Sequence, residues 1–326
     1  MTEEITKDIY RIGVSLLGNP LKELNSYFIR GKDRSLLIDT GFRRPECRKD
    51  LQKGLQELCA DFDHLDVFAT HLHADHSGMV RDFASEDGTI FMSDSDLKRL
   101  HIFLDEWSER KYLSRHLREG FPEDKLSYVA DNNPAFQMTL EKIDDRFWAV
   151  EDGTEIPVGD YRLQVLSVPG HTPGNTMLWL KEQGIMFTSD HILFDITPNI
   201  TAWTGVEDSL GDYLDSLEKV KDYPVKLSLP GHRKPGDYHE RIRQLQRHHE
   251  RRLAEVTEAV KKRPGMTAYE IAGYMKWKIS AGSWDEFPPI QQWFAVGECM
   301  AHIDYLLKRG VIRREEDAAG RRPVYK

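Results

Sequence analysis

A chain of 326 residues, 40% hydrophobic and 30% charged, can bury a sizeable core and reads as one large domain or two unequal ones. No apolar run approaches bilayer-spanning length and residues 1–7 are polar and partly acidic, so neither a membrane anchor nor a signal peptide is expected, and the location expected is cytoplasmic. The formal charge of −9 argues against general nucleic-acid affinity, but it is uneven: residues 251–326 carry 14 Lys and Arg against 10 Asp and Glu, or +4, leaving −13 for residues 1–250.

From the start, strand-like runs at 9–16 and 25–29 precede the polar turn Gly31-Lys32-Asp33 and a further run at 35–38, a hairpin pattern that ends at Asp39. Pro45 opens a helix with Leu51, Leu55 and Leu58 on one face. The apolar run 65–69 reads as a strand emptying into Thr70-His71-Leu72-His73-Ala74-Asp75-His76-Ser77-Gly78. Ligands on one helix face must recur at three or four residues, so a helix cannot set His71, His73, Asp75 and His76 around one centre, whereas a turn after a strand can fan them apart. His71 and His73 would then serve one ion, and Asp75 and His76 a neighbouring one.

A short helix at 79–84 and a strand at 89–92 come next. Between 94 and 147 the strand rhythm stops, with Leu100, Leu104, Trp107 and Tyr112 or Leu113 at roughly helical spacing and aromatics at Phe121, Tyr128 and Phe136. Such a stripe packs into a core or subunit interface more often than it faces a substrate. A hairpin is expected around Asp152-Gly153, then the alternating run 161–168, which Pro169 and Gly170 end so that His171 sits on a turn. Runs at 177–180 and 185–188 flank Gly184 as a second hairpin and end at Asp190; a helix with Leu210, Leu214 and Leu217 leads to a strand at 225–229 and to His232.

The wording H-x-H-x-D-H at His71–His76 resembles the signature of the metallo-β-lactamase superfamily, and four further motifs fall in that family's order: Leu37-Ile38-Asp39-Thr40-Gly41, Pro169-Gly170-His171-Thr172-Pro173-Gly174-Asn175, Thr188-Ser189-Asp190-His191 and Leu229-Pro230-Gly231-His232. The resemblance covers residues 37–232 and implies an α/β fold, an αββα sandwich with a helical, lid-like insertion at about 94–147 over the active site. Carried over residue by residue, it implies that His71, His73 and His171 hold one metal and Asp75, His76 and His232 the other. Asp190 would bridge them, and Asp39 would hold the metal loop by hydrogen bonds without being a ligand. Two divalent ions about 3.5–4 Å apart would share a water and lower its pKa toward about 7. Imidazole and carboxylate donors without thiolate suit Zn, with Fe or Mn as alternatives. Asp75 and Asp190 would be the catalytic carboxylates, one orienting the nucleophile and the other placed to return a proton to the leaving group. Lactam-hydrolysing members with a Cys ligand have it where Asp190 stands. Flavin-linked di-iron members have an acidic residue where His73 stands, together with a flavodoxin-like tail, which nothing after residue 250 resembles.

Cys47, Cys59 and Cys299 form no C-x-x-C pair and read as small apolar fillers. From about residue 236 a long helix presents Ile242, Leu245, His249, Val256 and Val260 on one face, so His248 and His249 read as packing residues and not as ligands. The division expected is a catalytic domain over 1–250 and a small domain over 251–326. In the latter, Thr267-Ala268-Tyr269-Glu270 forms a capping box, residues 289–308 a helix stopped by Gly310, and 311–314 with 323–325 a hairpin. Helices succeeded by a hairpin resemble the winged helix appended to lactamase-β-2-like bacterial relatives, with packing or homodimer formation ranked above nucleic-acid contact. The function expected is a dinuclear metal-dependent hydrolase of a small acyl substrate, a thioester or lactone. The alternatives are a phosphodiesterase or endoribonuclease, a persulfide dioxygenase-like iron enzyme, and a nucleic-acid-binding sensor.

Overall fold

The computed structural model describes residues 2–103, 113–133, 140–278 and 281–326. Leu104, Trp107, Tyr112 and Phe136 of the expected helical stripe lie outside the described residues. The chain divides into two compact units, the first of Met1–Leu104, Pro134–Pro198 and Val220–Arg241, the second of Asp105–Asn133, Asn199–Lys219 and Ile242–Lys326.

In the first unit, seven strands form a sheet in the order β1 (Thr2–Thr6), β2 (Ile9–Leu16), β3 (Lys22–Ile29), β4 (Ser35–Ile38), β5 (Leu65–Phe68), β6 (Ile90–Ser93) and β7 (Phe147–Val150). Five more form a second sheet, β12 (Leu227–Pro230), β11 (Ile185–Ser189), β10 (Thr176–Leu180), β9 (Tyr161–Ser167) and β8 (Glu155–Val158). Alternating residues of both sheets make one core: Tyr27, Ile29, Leu36 and Ile38 from the first meet Leu163, Val165, Leu178, Leu180 and Phe187 from the second. The Tyr27 and Phe187 rings lie edge to face, with centroids 5.2 Å apart.

The outer face of the first sheet is covered by the helix Pro45–Glu57, which buries Leu51 and Leu55. Full burial of each such leucine contributes about 1.5–3 kcal/mol. Gly54 permits the close approach, because a Cβ there would stand 2.4 Å from Ile12 Cγ2. The result is the expected sandwich of two sheets with helices outside.

Three local expectations are corrected. Residues 147–150 and 155–158 flank Asp152-Gly153 but do not pair: β7 lies parallel to β6, and β8 pairs antiparallel with β9 across the turn at Gly159, whose φ is +57°. The chain crosses between sheets at Asp152-Gly153, because alternating apolar residues on both sides satisfy different partners. Cys59 is exposed at a left-handed turn, φ +50°, just beyond the helix; only Cys47 and Cys299 are buried fillers. The metal loop is not wholly irregular, since Ala74–Ser77 winds one helical turn that carries Asp75 and His76.

Parallel pairing sets the strand ends level. Ile38 of β4 lies opposite Phe68 of β5, and Ser189 of β11 opposite Pro230 of β12. Each strand therefore delivers its next residues to a shared rim, where open parallel sheets place ligands.

The second unit contains the helix Ala268–Tyr274, opened by a capping box in which Glu270 Oε2 accepts from Thr267 N at 2.7 Å. The helix Pro289–Lys308 comes next, then the hairpin of β13 (Arg314–Glu316) and β14 (Pro323–Tyr325). Phe121 and His116 are buried here, with Phe121 edge-on to Tyr269 at 5.6 Å, so Phe121 is a core residue, while Tyr128 is 49% exposed. Arg115 donates twice to the Asp304 carboxylate, and the Tyr325 hydroxyl donates to Glu119. No helix among the described residues is long and apolar enough to cross a membrane.

His249 and His302 are wholly buried and stacked in this unit, with His249 Nδ1 and His302 Nε2 3.1 Å apart. His302 Nδ1 faces the Glu298 carbonyl at 2.8 Å, an acceptor only, so it carries the proton and leaves Nε2 to accept from His249. Both rings are neutral: burial pushes His302 down to about 3 and His249 well below the usual histidine range. The unfolded chain binds protons that the folded pair refuses, so this stabilisation is complete above pH about 6.5 and declines as the pH falls toward 3. Thermal melts at pH 7 and pH 5 should show a loss of about 2 kcal/mol from His302 alone, and the double variant His249→Phe/His302→Leu should flatten that dependence.

Candidate metal centre

Five strand ends build the rim. Asp39 follows β4, Thr70 to His76 follow β5, His171 follows β9, Asp190 follows β11 and His232 follows β12. All seven side chains expected as ligands, together with Asp39, converge there. His71, His76 and His232 are fully buried, and Asp75, His171 and Asp190 are no more than 8% exposed. Potential donor atoms of His71, His73 and His171 lie within 4.8 Å of one another; so do those of Asp75, His76 and His232, and those of His71, His76 and Asp190.

Hydrogen bonds on the far side of each ring aim its other nitrogen inward. His76 Nδ1 meets Asp39 Oδ2 at 2.7 Å and His232 Nδ1 meets the Glu23 carbonyl at 2.8 Å, so each donates there and its Nε2 lone pair is left for the centre. His71 Nδ1 faces the hydroxyls of Thr70 and Ser189 at 3.2 and 3.3 Å. The inward nitrogens crowd together, with His71 Nε2 3.1 Å from His73 Nδ1 and His76 Nε2 3.2 Å from His232 Nε2. The Asp190 carboxylate lies between the groups: Oδ1 is 3.6 Å from His76 Nε2, and Oδ2 is 3.7 Å from His171 Nε2 and 3.6 Å from His232 Nε2.

The residues fit divalent cations. Three carboxylates, Asp39, Asp75 and Asp190, are buried in one place, and a buried anion needs a positive partner. Asp190 Oδ1 is buried with no hydrogen-bond donor, and a Cβ on Gly231 would stand 2.6 Å from it and 2.8 Å from His76 Cε1, so glycine keeps this space open. Burial and the neighbouring groups set the charge on each side chain. Burial works against charge on His76, yet the carboxylates of Asp39, Asp190 and Asp75 hold its pKa well above the usual range. Burial also opposes charge on Asp75, but His76 and His232 bring it down to about 2, and His232 and His76 likewise hold Asp190 low. Burial and neighbouring rings push His71 well down and His73 to about 3, which leaves both as neutral donors.

The supports of this centre are less visible in the sequence. Asp39 Oδ1 accepts from Thr70 N and its Oδ2 from Thr70 Oγ1, both at 2.8 Å. Asn25 Nδ2 donates to the carbonyls of Pro230 and Arg233 at 2.9 and 2.8 Å, and the Tyr27 hydroxyl donates to Pro230 at 2.8 Å, which fixes the turn bearing His232. Asp96, wholly buried, accepts from Leu72 N, Thr172 Oγ1 and Gly174 N at 2.7–2.8 Å, and burial pushes its carboxyl up to about 6. The only signal for Asn25 is an amide inside a strand pattern; Asp96 looks like an ordinary acidic residue in the first turn of a helix.

Residues 22–232 match the Metallo-beta-lactamase superfamily, about two thirds of the chain. The chain belongs to that superfamily. Residues 253–322 match the C-terminal domain described as metallo-beta-lactamase-like. Similar curated proteins include the Beta-lactamase-like protein 2 homolog of Caenorhabditis elegans, 25% identical over 77% of this chain and 70% of that protein. Another is the Acyl-coenzyme A thioesterase MBLAC2 of Bos taurus, 25% identical over 64% of this chain and 72% of that protein. Among solved structures, a metallo-beta-lactamase family protein of Thermus thermophilus superposes with a TM-score of 0.81 at 25% identity, covering 99% of both chains. A beta-lactamase domain protein of Burkholderia ambifaria, at 21% identity, shares the fold with a TM-score of 0.84 over 99% of this chain and 93% of that one. The protein is an enzyme of this metallo-hydrolase superfamily, with a His and Asp cluster that could hold metal.

His71 contributes to two of the three donor groups, so its loss should disturb both. In His71→Ala, metal analysis after dialysis against a divalent cation should show less bound metal per chain than in the unsubstituted protein.

Proposed function

We propose that this protein is a dinuclear metal-dependent hydrolase of acyl substrates, with a thioester as the preferred class and a lactone next. The observation that carries this reading is the Asp190 carboxylate, whose two oxygens lie within 3.7 Å of rings from both donor groups, the arrangement a shared pair of ions requires. His71, His73 and His171 would hold one ion, Asp75, His76 and His232 the other, and Asp190 would serve both. When bound, the ions supply a nucleophile from water near neutral pH and polarise the acyl oxygen.

The chain's own groups do the remainder. Asp39 and the Glu23 carbonyl hold His76 and His232 in the tautomer that leaves Nε2 unprotonated. Asp75 stays ionised, so its oxygens accept an O–H from the attacking water and orient the lone pair toward the acyl carbon. Asp190 is held ionised too, and cations would lower both carboxyls further, so neither stores a proton for the leaving group at neutral pH. On this reading Asp190 serves as a ligand and is not the acid for the leaving group.

The same point favours a thioester. Attack of water forms the new C–O bond, the C–S bond breaks, and the sulfur keeps its electron pair; a thiol with pKa about 8.5 leaves as thiolate without an acid, whereas an alkoxide needs one. Two similar proteins are named as thioesterases, MBLAC2 and an atrochrysone carboxyl ACP thioesterase of Emericella nidulans, the latter 24% identical over 67% of this chain.

Zn-, Mn- and Fe-loaded protein should be offered a thioester, a lactone and an activated phosphodiester side by side. Thioester cleavage is expected to exceed the other two and to fall at least about a hundredfold in Asp190→Ala. Selective phosphodiester cleavage would overturn the acyl assignment, and oxygen uptake with one iron per chain would overturn hydrolysis itself.

A further inference from the structure

The two donor groups of the centre share Asp39, which binds both Thr70 and His76, but each has further supports of its own. Asp75 and His76 share a helical turn tied to Asp39, and His232 is tied to β3 through the Glu23 carbonyl and Asn25. His71, His73 and His171 come from two loops that are distant in sequence, yet their rings pack within 4.6–5.0 Å of one another, centroid to centroid. Ser189 touches the roots of both loops, at Thr70 and Asn175, and Asp96 joins them nearer the rings. Asp96 Oδ2 accepts from Leu72 N, between His71 and His73, at 2.8 Å and from Thr172 Oγ1, next to His171, at 2.7 Å; Oδ1 accepts from Gly174 N at 2.7 Å.

The approach is close enough to exclude any side chain at position 174. A Cβ on Gly174 would stand 2.0 Å from Ser93 Oγ, 2.5 Å from Asp96 N and 2.8 Å from Asp96 Cγ. Asp96 in turn is fixed at the first turn of the helix Asp94–Phe103, where its N–H donates to Ser93 Oγ at 3.3 Å. Its three donors are two backbone amides and a hydroxyl, all at full hydrogen-bond distance, and none of them belongs to the turn that carries Asp75 and His76.

We propose that Asp96 is the positioning residue for the three-histidine metal position alone: it sets the distance between the His71–His73 loop and the His171 loop, and the neighbouring position does not depend on it. The proposal rests on the metal reading above. It differs from the role of Asp39, which binds both Thr70, at the root of the first loop, and His76, in the second group. An amide at position 96 offers one acceptor oxygen and turns its NH2 toward a donor, so Asp96→Asn loosens one loop or the other.

Stepwise cobalt(II) titration of the full-length metal-free protein, monitored by visible absorption and by competition with a chelator, reads the two positions separately. In Asp96→Asn one of the two ions should bind about 10–100-fold more weakly, the usual cost of losing a support behind a metal ligand, with the other unchanged. Thr172→Val, which removes only one of the three hydrogen bonds, should weaken the same ion less, and it carries the test if Asp96→Asn does not fold. In the His73→Ala background, adding Thr172→Val or Asp96→Asn should leave the affinity of the remaining ion unaltered. Equal weakening of both ions, or weakening of the remaining ion in that background, would make Asp96 a general support and overturn the proposal. Wild-type affinities for both ions in the variants would also overturn it while leaving the metal centre standing. Failure of the unsubstituted protein to bind cobalt would overturn the metal reading and this inference with it.

Discussion

The buried carboxylate of Asp39 is the interaction on which the arrangement turns. At 2% exposure it collects Thr70 N, Thr70 Oγ1 and His76 Nδ1, so one side chain at the end of β4 fixes both the start of the histidine loop and the ring at its far side. Burying an anion is costly unless hydrogen bonds and positive charge answer it. Asp75 and Asp190 add two more anions nearby, and even with His76 and His232 drawn toward the charged form the three carboxylates outnumber them. That imbalance is what makes the rim a place for cations and not a storage point for structural ion pairs.

Backbone strain is concentrated at the same rim. Asp39, Ser189 and Arg233 adopt left-handed φ values of 59°, 51° and 66°, each beside a residue of the centre. Such conformations cost on the order of 1–3 kcal/mol for residues other than glycine, and they persist where the surroundings fix them. At Ser189 the hydroxyl donates to Thr70 Oγ1 or Asn175 Oδ1 at 2.8 and 3.2 Å, which holds the turn that swings Asp190 out of the sheet. Gly231 completes the set by leaving room where Asp190 and His76 meet.

The convergence of the histidines and aspartates could be read in the sequence because their motifs follow apolar runs; parallel pairing levels the ends of β4 with β5 and of β11 with β12, while β9, antiparallel to β10, runs in the same direction as β11. The sandwich was legible for the same reason: strand alternation at 25–29, 35–38 and 161–168 needs a facing layer. Long-range partner choice could not be read. Asp152-Gly153 looks like a hairpin turn from its flanks, yet those flanks join different sheets. Asp96 and Asn25 take their meaning only from loops far away in the chain, and no local pattern distinguishes them from a helix-start acid or a strand amide. The grouping of segments 113–133 and 199–219 with residues 242–326 is of that kind too. A composition shift near residue 250 marks a change of surface charge and carries no information on which earlier segments fold with the C-terminal residues.

Crystals of the zinc-loaded protein, with anomalous diffraction recorded at the zinc edge, address the proposed dinuclear centre without reference to any substrate. Two peaks about 3.5–4 Å apart are expected, one against His71, His73 and His171, the other against Asp75, His76 and His232, with Asp190 touching both. A single peak, or a pair that leaves Asp190 uncoordinated, would contradict the centre described.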